Sequence, residues 1–274
     1  MPQKQPCIAL HNGVSIPQLG LGVFRTPSGA TTRRVVREAL DLGYRHIDTA
    51  RIYGNEADVA QAIRESGLPR QDIFITTKIW NDDQGFDQTL RAGEAMLLRM
   101  DVEYVDLLLL HWPVPGRRID SWRAMERLRK SGIARAIGVS NFMPHHLREL
   151  LATCREPPSV NQVELSPFLQ QRELRAFCQG QGIRIEAYSP LTKGLRLQHP
   201  EVVRIAKALH RTAAQVLIRW GLQHELVVLP KSSQPARLQE NLAALDFVLD
   251  AEHMAALDGL EEGLVTGWDP RQVP

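Results

Sequence analysis

Cysteine is scarce: Cys7, Cys154 and Cys178 are the only three in 274 residues. An odd number without Cys-x-x-Cys spacing argues against a disulfide framework or a zinc cluster, and it fits a reducing cytosol. Net charge is also slight, +2 from 33 Lys and Arg against 31 Asp and Glu. That balance gives no reason to expect nucleic-acid or membrane partners. No uninterrupted apolar run reaches the roughly 18 residues of a membrane helix. The longest candidate, Val105 to Trp112, is interrupted by Asp106 and His111. Met1-Pro2-Gln3-Lys4-Gln5 leads into mixed residues rather than the apolar core of a secretory signal. Ordinary counts of Gly (19) and Pro (17) exclude a collagen-like or disordered chain.

What is present is 43% hydrophobic residues, enough for a large single core. Ile8-Ala9-Leu10 and Val14-Ser15-Ile16 flank Asn12-Gly13, a dipeptide suited to a two-residue hairpin turn with positive φ at both centres. After it, strand-like and helix-like segments alternate. Apolar strand candidates are Leu19–Phe24, His46–Thr49, Ile73–Ile79, Val105–His111, Ala136–Val139, Val160–Leu165, Arg184–Tyr188 and Val227–Leu229. Helical spacing marks Thr31–Leu42, Glu56–Ser66, Asp87–Met100, Ser121–Ser131, Pro144–Ala152, Gln171–Gly180, Val202–Trp220 and Pro235–Leu245. Gly67, Gly132 and Gly182 stand where helices should stop; Pro144 and Pro235 stand where a first turn tolerates a missing N–H.

Eight strands, mostly apolar rather than alternating, each followed by a helix, predict a closed (β/α)8 TIM barrel spanning residues 1–274 as one domain. A doubly wound sheet would want Gly-x-Gly-x-x-Gly after the first strand. Gly20-Leu21-Gly22 has no third glycine and lies inside the strand. Thr192–Pro200 is the longest segment without a strong pattern.

Four polar residues stand at or just beyond successive strand ends: Asp48, then Tyr53 in the following loop, Lys78, and His111. In a barrel those ends share one mouth, where active sites are built. Each alone has a plain alternative. An Asp there caps a turn, a loop Tyr packs, a Lys reaches solvent, and a His near a strand end is a satisfied core residue. Their joint occurrence, on three neighbouring strands, points to proton transfer onto a carbonyl oxygen. A tyrosine, with a reference pKa of about 10, is a poor acid at neutral pH. A nearby ammonium favours the phenolate and lowers that value. Asp48 would hold Lys78 charged, and His111 would orient the carbonyl. No metal or covalent intermediate is required, but a separate electron source is.

Longer motifs carry a resemblance. Asp48-Thr49-Ala50 with Tyr53-Gly54-Asn55-Glu56, Thr77-Lys78-Ile79-Trp80 and Asp106-Leu107-Leu108-Leu109-Leu110-His111-Trp112-Pro113 resemble the signatures of the aldo-keto reductases. So do Ile137-Gly138-Val139-Ser140-Asn141-Phe142, Asn161-Gln162-Val163-Glu164, Ala187-Tyr188-Ser189-Pro190-Leu191 and Leu229-Pro230-Lys231-Ser232. The match runs in order along nearly the whole chain. It is similar to the short bacterial reductases of the 2,5-diketo-D-gluconate and methylglyoxal type.

The resemblance implies an NADPH-dependent carbonyl reductase, with NADH less favoured, a barrel bottom plugged by the hairpin, and a cytoplasmic monomer acting on a small carbonyl substrate. Tyr53 would be the general acid, Lys78 and Asp48 would tune it, and His111 would orient the carbonyl. Ser140, Asn141 and Gln162 would hold the nicotinamide carboxamide, and Tyr188 would stack on its ring. Ser189 and Leu191 would lie along the cofactor. Lys231, Ser232 and Arg237 would hold the 2′-phosphate, with Glu240 and Asn241 at the adenosine. The plain alternatives are a helix cap at Ser140-Asn141, core packing of Tyr188 and a solvated basic face at Lys231 and Arg237. Trp80, Trp112 and Phe24 would line the substrate pocket with His111, and the tail around Trp268 is a further candidate. Short loops after Pro113 and around the tail imply an open, weakly selective pocket.

Two other functions fit a barrel. A non-catalytic nicotinamide-cofactor sensor would have less need of the full Asp48, Tyr53, Lys78, His111 set. A barrel hydrolase would need a nucleophile or metal motif, and neither Gly-x-Ser-x-Gly nor His-Glu-x-x-His occurs.

Overall fold

A computed structural model describes residues 5–274. A hairpin of β1 (Cys7–Ala9) and β2 (Ser15–Pro17) precedes eight parallel strands: β3 (Leu21–Gly22), β4 (His46–Asp48), β5 (Phe74–Ile79), β6 (Val105–Leu110), β7 (Ala134–Ser140), β8 (Val160–Glu164), β9 (Arg184–Tyr188) and β10 (Val227–Leu229). Neighbours pair in sequence order. Closure comes from the residues around the short β3: Gly20 N–H donates to Val228 O at 2.9 Å, Val228 N–H to Gln18 O at 2.8 Å, and Gly22 N–H to Pro230 O at 3.1 Å. The helices are α1 (Ala30–Leu42), α2 (Glu56–Glu65), α3 (Phe86–Met100), α4 (Arg118–Lys130), α5 (Pro144–Leu151), α6 (Arg172–Gly180), α7 (Pro200–Ala208), α8 (Ala213–Gln223), α9 (Pro235–Leu242) and α10 (Ala251–Asp258). Among the described residues no helix is long and apolar enough to cross a membrane.

The pleat sorts the core in two. Leu108 and Leu110 face the helices, whereas Leu107 and Leu109 face inward and pack with Phe74, Ala136, Val160 and Val227. Leu10 and Ile16 of the hairpin join that inner cluster, so the hairpin seals the N-terminal end. Further along the strands the interior turns polar: His46, Asp48, Thr76, Lys78, Gln162 and Glu186 are all buried.

Three expectations change. The hairpin turn is longer than Asn12-Gly13: Gly13 takes φ +84° but Asn12 stays out of positive φ, while Leu10 N–H donates to Val14 O. That is a three-residue loop with glycine at its left-handed position. The helix expected over Val202–Trp220 is two, because His210 turns to φ +51° and Thr212 starts α8 with a capping box to Gln215. The helix α10, capped by the Asp250 carboxylate, was not expected. Gly67, Gly132 and Gly182 do end their helices at positive φ, and Pro144 and Pro235 do open α5 and α9.

Gly138 shows how tightly the interior closes. A Cβ there would sit 2.6 Å from Val160 O and 2.7 Å from Leu109 Cδ2. A backbone carbonyl in a strand cannot retreat, so Gly138→Ala should cost about 1–3 kcal/mol. Thermal unfolding should drop by several degrees; an unchanged Tm would show that the barrel relaxes freely at this layer.

Candidate active site

Asp48 ends β4 and Lys78 lies on β5, both pointing into the barrel. The Lys78 ammonium donates 2.8 Å hydrogen bonds to Asp48 Oδ1, Asp48 Oδ2 and Thr49 O. The pair is sealed from water. Burial alone would pull the Lys78 pKa down; the charges of Asp48 and Tyr53 outweigh it and raise it. The ammonium is charged at any working pH.

Tyr53 comes from a short helical turn, Arg51–Tyr53, at the mouth above this pair. Lys78 Nζ is 5.2 Å from the centroid of its ring. The expected lowering of the tyrosine pKa is not what results. Burial dominates and pushes the phenol up to about 12; Lys78 pulls it down, while Asp48 and Glu186 push it up. The ammonium's pull is smaller than the cost of burying a phenolate, and Asp48 offsets part of it. Its role shifts accordingly: it stabilises negative charge on the phenol oxygen as that charge develops, rather than presetting an acidic phenol.

His111 follows β6 and meets Tyr53 edge-on at 5.9 Å and Trp80 edge-on at 5.2 Å. Burial and the Lys78 charge hold its pKa well below the usual imidazole value, so it is neutral. Its Nδ1 is buried and has no hydrogen-bond partner among the described residues. Phe24, half open to solvent, tilts against Tyr53 at 5.0 Å. Trp112 pairs with Trp268 at 5.7 Å, which brings the tail to the mouth. The tail is tied there by Thr266 and Gly267 N–H groups donating to Glu164 and by Lys193 donating to Thr266 O.

Ser140 and Asn141 close β7; both are buried, and Asn141 takes φ +64°. The Asn141 amide donates to His111 O at 3.0 Å and accepts from the Tyr188 hydroxyl at 2.9 Å. Gln162 on β8 donates to Asp48 Oδ2 at 2.8 Å and to Glu186 Oε2 at 2.6 Å. Both N–H groups are thereby used, and its Oε1 is the atom left to accept from a ligand amide. Tyr188 ends β9, followed by Ser189 at φ +51° and half-buried Leu191. An orphaned imidazole nitrogen, a set of amide and hydroxyl groups and a partly open aromatic ring converge here. That donor set fits a carboxamide-bearing aromatic ring.

The residues expected at the 2′-phosphate lie around the start of α9. Lys231 and Arg237 are exposed and have no carboxylate partner among the described residues. Ser232 is buried and accepts from Gln234 N–H at 3.1 Å. Two open cations beside a helix N-terminus suit a dianion. Asn241 is buried and Glu240 is half-buried on the same helix. Glu240 also accepts from the Thr212 hydroxyl at 2.6 Å, so it serves the α8 cap as well. A cavity of about 540 Å³ opens beside Tyr188, walled by Met143, Glu164 and Trp268; its lining does not include Tyr53 or His111.

Sequence reasoning missed His46 and Glu186, both fully buried in the barrel beneath the quartet. The signal was available: charged or titratable residues inside strands expected to be covered on both faces.

Comparison with known proteins identifies the family. The aldo/keto reductase family model matches residues 18–262. The chain is 50% identical over 267 residues to the 9,11-endoperoxide prostaglandin H2 reductase of Trypanosoma cruzi, covering 96% of this chain and 94% of that one. It is 47% identical to the glyoxal reductase of Bacillus subtilis, over 97% and 96% of the two chains. Among solved structures, a Gox0644 variant in complex with NADPH is 44% identical with a TM-score of 0.93, covering 98% of this chain and 99% of that one. With its barrel, its motifs in order and its relatives along nearly the full length, the chain belongs to the aldo/keto reductase family.

Proposed function

We propose that the protein is an NADPH-dependent reductase of small aldehydes, dicarbonyls and keto sugars, with Tyr53 as the proton donor. The observation that carries this reading is the convergence of Tyr53, His111 and the sealed Lys78–Asp48 pair at one barrel mouth. When bound, the reduced nicotinamide supplies the hydride. The protein's own residues do the rest. Ser140, Asn141 and Gln162 hold the carboxamide, and Tyr188 presents a flat face that fixes which side of the ring meets the substrate. His111, being neutral, donates a hydrogen bond to the carbonyl oxygen without surrendering a proton. Tyr53 passes its proton to that oxygen as it becomes an alkoxide, and Lys78 stabilises the phenolate left behind. Trp80, Trp112, Phe24 and the tail's Trp268 shape the apolar approach. The enzyme works on this reading as a monomer in a reducing cytosol. The glyoxal reductase and NADPH-complexed relatives support the substrate class and the cofactor.

The test is loss of reduced-nicotinamide absorbance with glyoxal, methylglyoxal, simple aldehydes and diketo acids. Steady oxidation of NADPH by at least one panel member is expected; none with any of them would reject the reading. The phosphate assignment has its own test. Charge-assisted hydrogen bonds of about 1.5–3 kcal/mol correspond to roughly 10- to 100-fold in affinity. Arg237→Ala should raise KM for NADPH by about that factor and leave KM for NADH nearly unmoved. Equal shifts for both cofactors would remove Arg237 from the 2′-phosphate site.

A further inference from the structure

Among the described residues, Glu186 is the buried carboxyl beneath the active site that the mechanism above leaves unused. It sits on β9 opposite Gln162 of β8 in the strand register, fully buried inside the barrel. Its Oε2 accepts from Gln162 Nε2 at 2.6 Å, but its Oε1 has no hydrogen-bond partner among the described residues. The atom nearest to serving Oε1 is His46 Nε2, at 3.5 Å. His46 Nδ1 lies 3.4 Å from the Pro17 carbonyl, which assigns the ring proton to Nδ1 and leaves Nε2 an acceptor. Thr76 Oγ1 donates to the same Nε2 at 2.9 Å. Burial pushes the His46 pKa down to about 3, so this ring carries no charge that could pair with an anion.

A carboxylate in this setting would have one amide N–H, from a Gln162 that also serves Asp48, and no cation of its own. Such an ion is poorly solvated, whereas a neutral carboxylic acid costs far less to bury and still accepts from the Gln162 N–H. We propose that Glu186 is a positioning residue of the active site: a carboxyl kept protonated inside the barrel, which braces Gln162 and leaves Asp48 as the single anion serving Lys78. The proposal rests on the reductase reading, because Gln162 and the Lys78–Asp48 pair acquire their roles there.

The groups facing Glu186 are few. Among the described residues they are His46 and Asp48 on β4, Tyr53 in the loop that follows it, Thr76 and Lys78 on β5, and Gln162 on β8. Val227–Leu229 on its other flank contains no titratable group. Burial first, and the Asp48 charge second, raise the Glu186 pKa to about 8. Once ionised it would place a second anion under Lys78 and add the Glu186 contribution to the rise in the Tyr53 pKa. The phenol would then be a weaker acid, so kcat should fall on the alkaline side well before Tyr53 or Lys78 titrates.

Three measurements test this. In the infrared spectrum of the cofactor-free protein, a carboxylic-acid C=O band should be present at neutral pH, fade as pH passes about 8, and be missing in Glu186→Gln. The kcat–pH profile with NADPH and glyoxal should descend its alkaline limb over the same interval in wild type. In Glu186→Gln that limb should move up by more than about one pH unit, with KM for NADPH not following. In thermal unfolding the native state holds one more proton than the unfolded chain between 4.5 and about 8. Stability should therefore decline across that window in wild type and less so in the variant. If the variant does not fold, coincidence of band loss and kcat limb in wild type alone decides. No band, or a band whose loss does not coincide with the limb, overturns the proposal. Absence of turnover at every pH overturns it together with the reductase reading, whereas turnover with a mismatched band overturns it alone.

Discussion

A Tyr53→Phe enzyme is expected to bind NADPH normally and to reduce carbonyls about 10²- to 10⁴-fold more slowly, the range associated with a lost general acid. The ring packs edge-on to His111 and tilted to Phe24, and phenylalanine preserves both contacts. Only the hydroxyl goes. Because the phenol sits at about 12 in the structure, it holds its proton throughout the physiological range. Turnover should then be limited by transfer of that proton as the alkoxide forms, and kcat should fall while KM changes little. NADPH titrated by quenching of protein fluorescence should give an unchanged Kd, which separates chemistry from binding. An equal kcat in Tyr53→Phe would leave His111 or water as the acid and would unseat the mechanism.

Much of this architecture was legible from the sequence because parallel strands covered by helices read as apolar runs. The eight barrel strands were found, and Asp48, Tyr53, Lys78 and His111 do meet at one end. Where the reading failed, the reason is local. The break at His210 was overrun because apolar periodicity continues through it, although Thr212-Ala213-Ala214-Gln215 is a readable capping box. Asp250 likewise caps α10, but that helix is too short for its pattern to stand out. The acidic phenol rests on one cation in isolation and leaves out burial of the phenol, the largest influence on its pKa. The sequence does not show that Asp48 engages Lys78 with both oxygens, nor that Glu186 adds its own potential from below. Charges couple through space, and the pairings that set their net effect arise only when distant strands close.

The largest combined effect on stability and activity should come from Lys78→Met. The ammonium is fully enclosed and satisfies Asp48 with two 2.8 Å bonds. Removing it strands a buried carboxylate whose remaining side-chain donor is the Gln162 amide. Breaking a buried pair from one side costs about 3–5 kcal/mol, and for a chain of this size Tm falls about 2–4 °C per kcal/mol. The stranded Asp48 should then take up a proton. A carboxyl whose folded pKa is raised loses stability as pH climbs from its unfolded value, about 3.9. The single variant should therefore be relatively more stable in mild acid. Activity behaves differently. Without the cation nothing offsets phenolate charge at Tyr53, and kcat should drop by about 10²-fold or more. Adding Asp48→Asn should return most of the Tm, since the interior then holds neither charge, but none of the kcat. Recovery of both in the double variant would mean that Lys78 serves only to neutralise Asp48. Recovery of stability alone separates the two functions of one ammonium, holding the barrel interior together and stabilising the charge that forms on Tyr53.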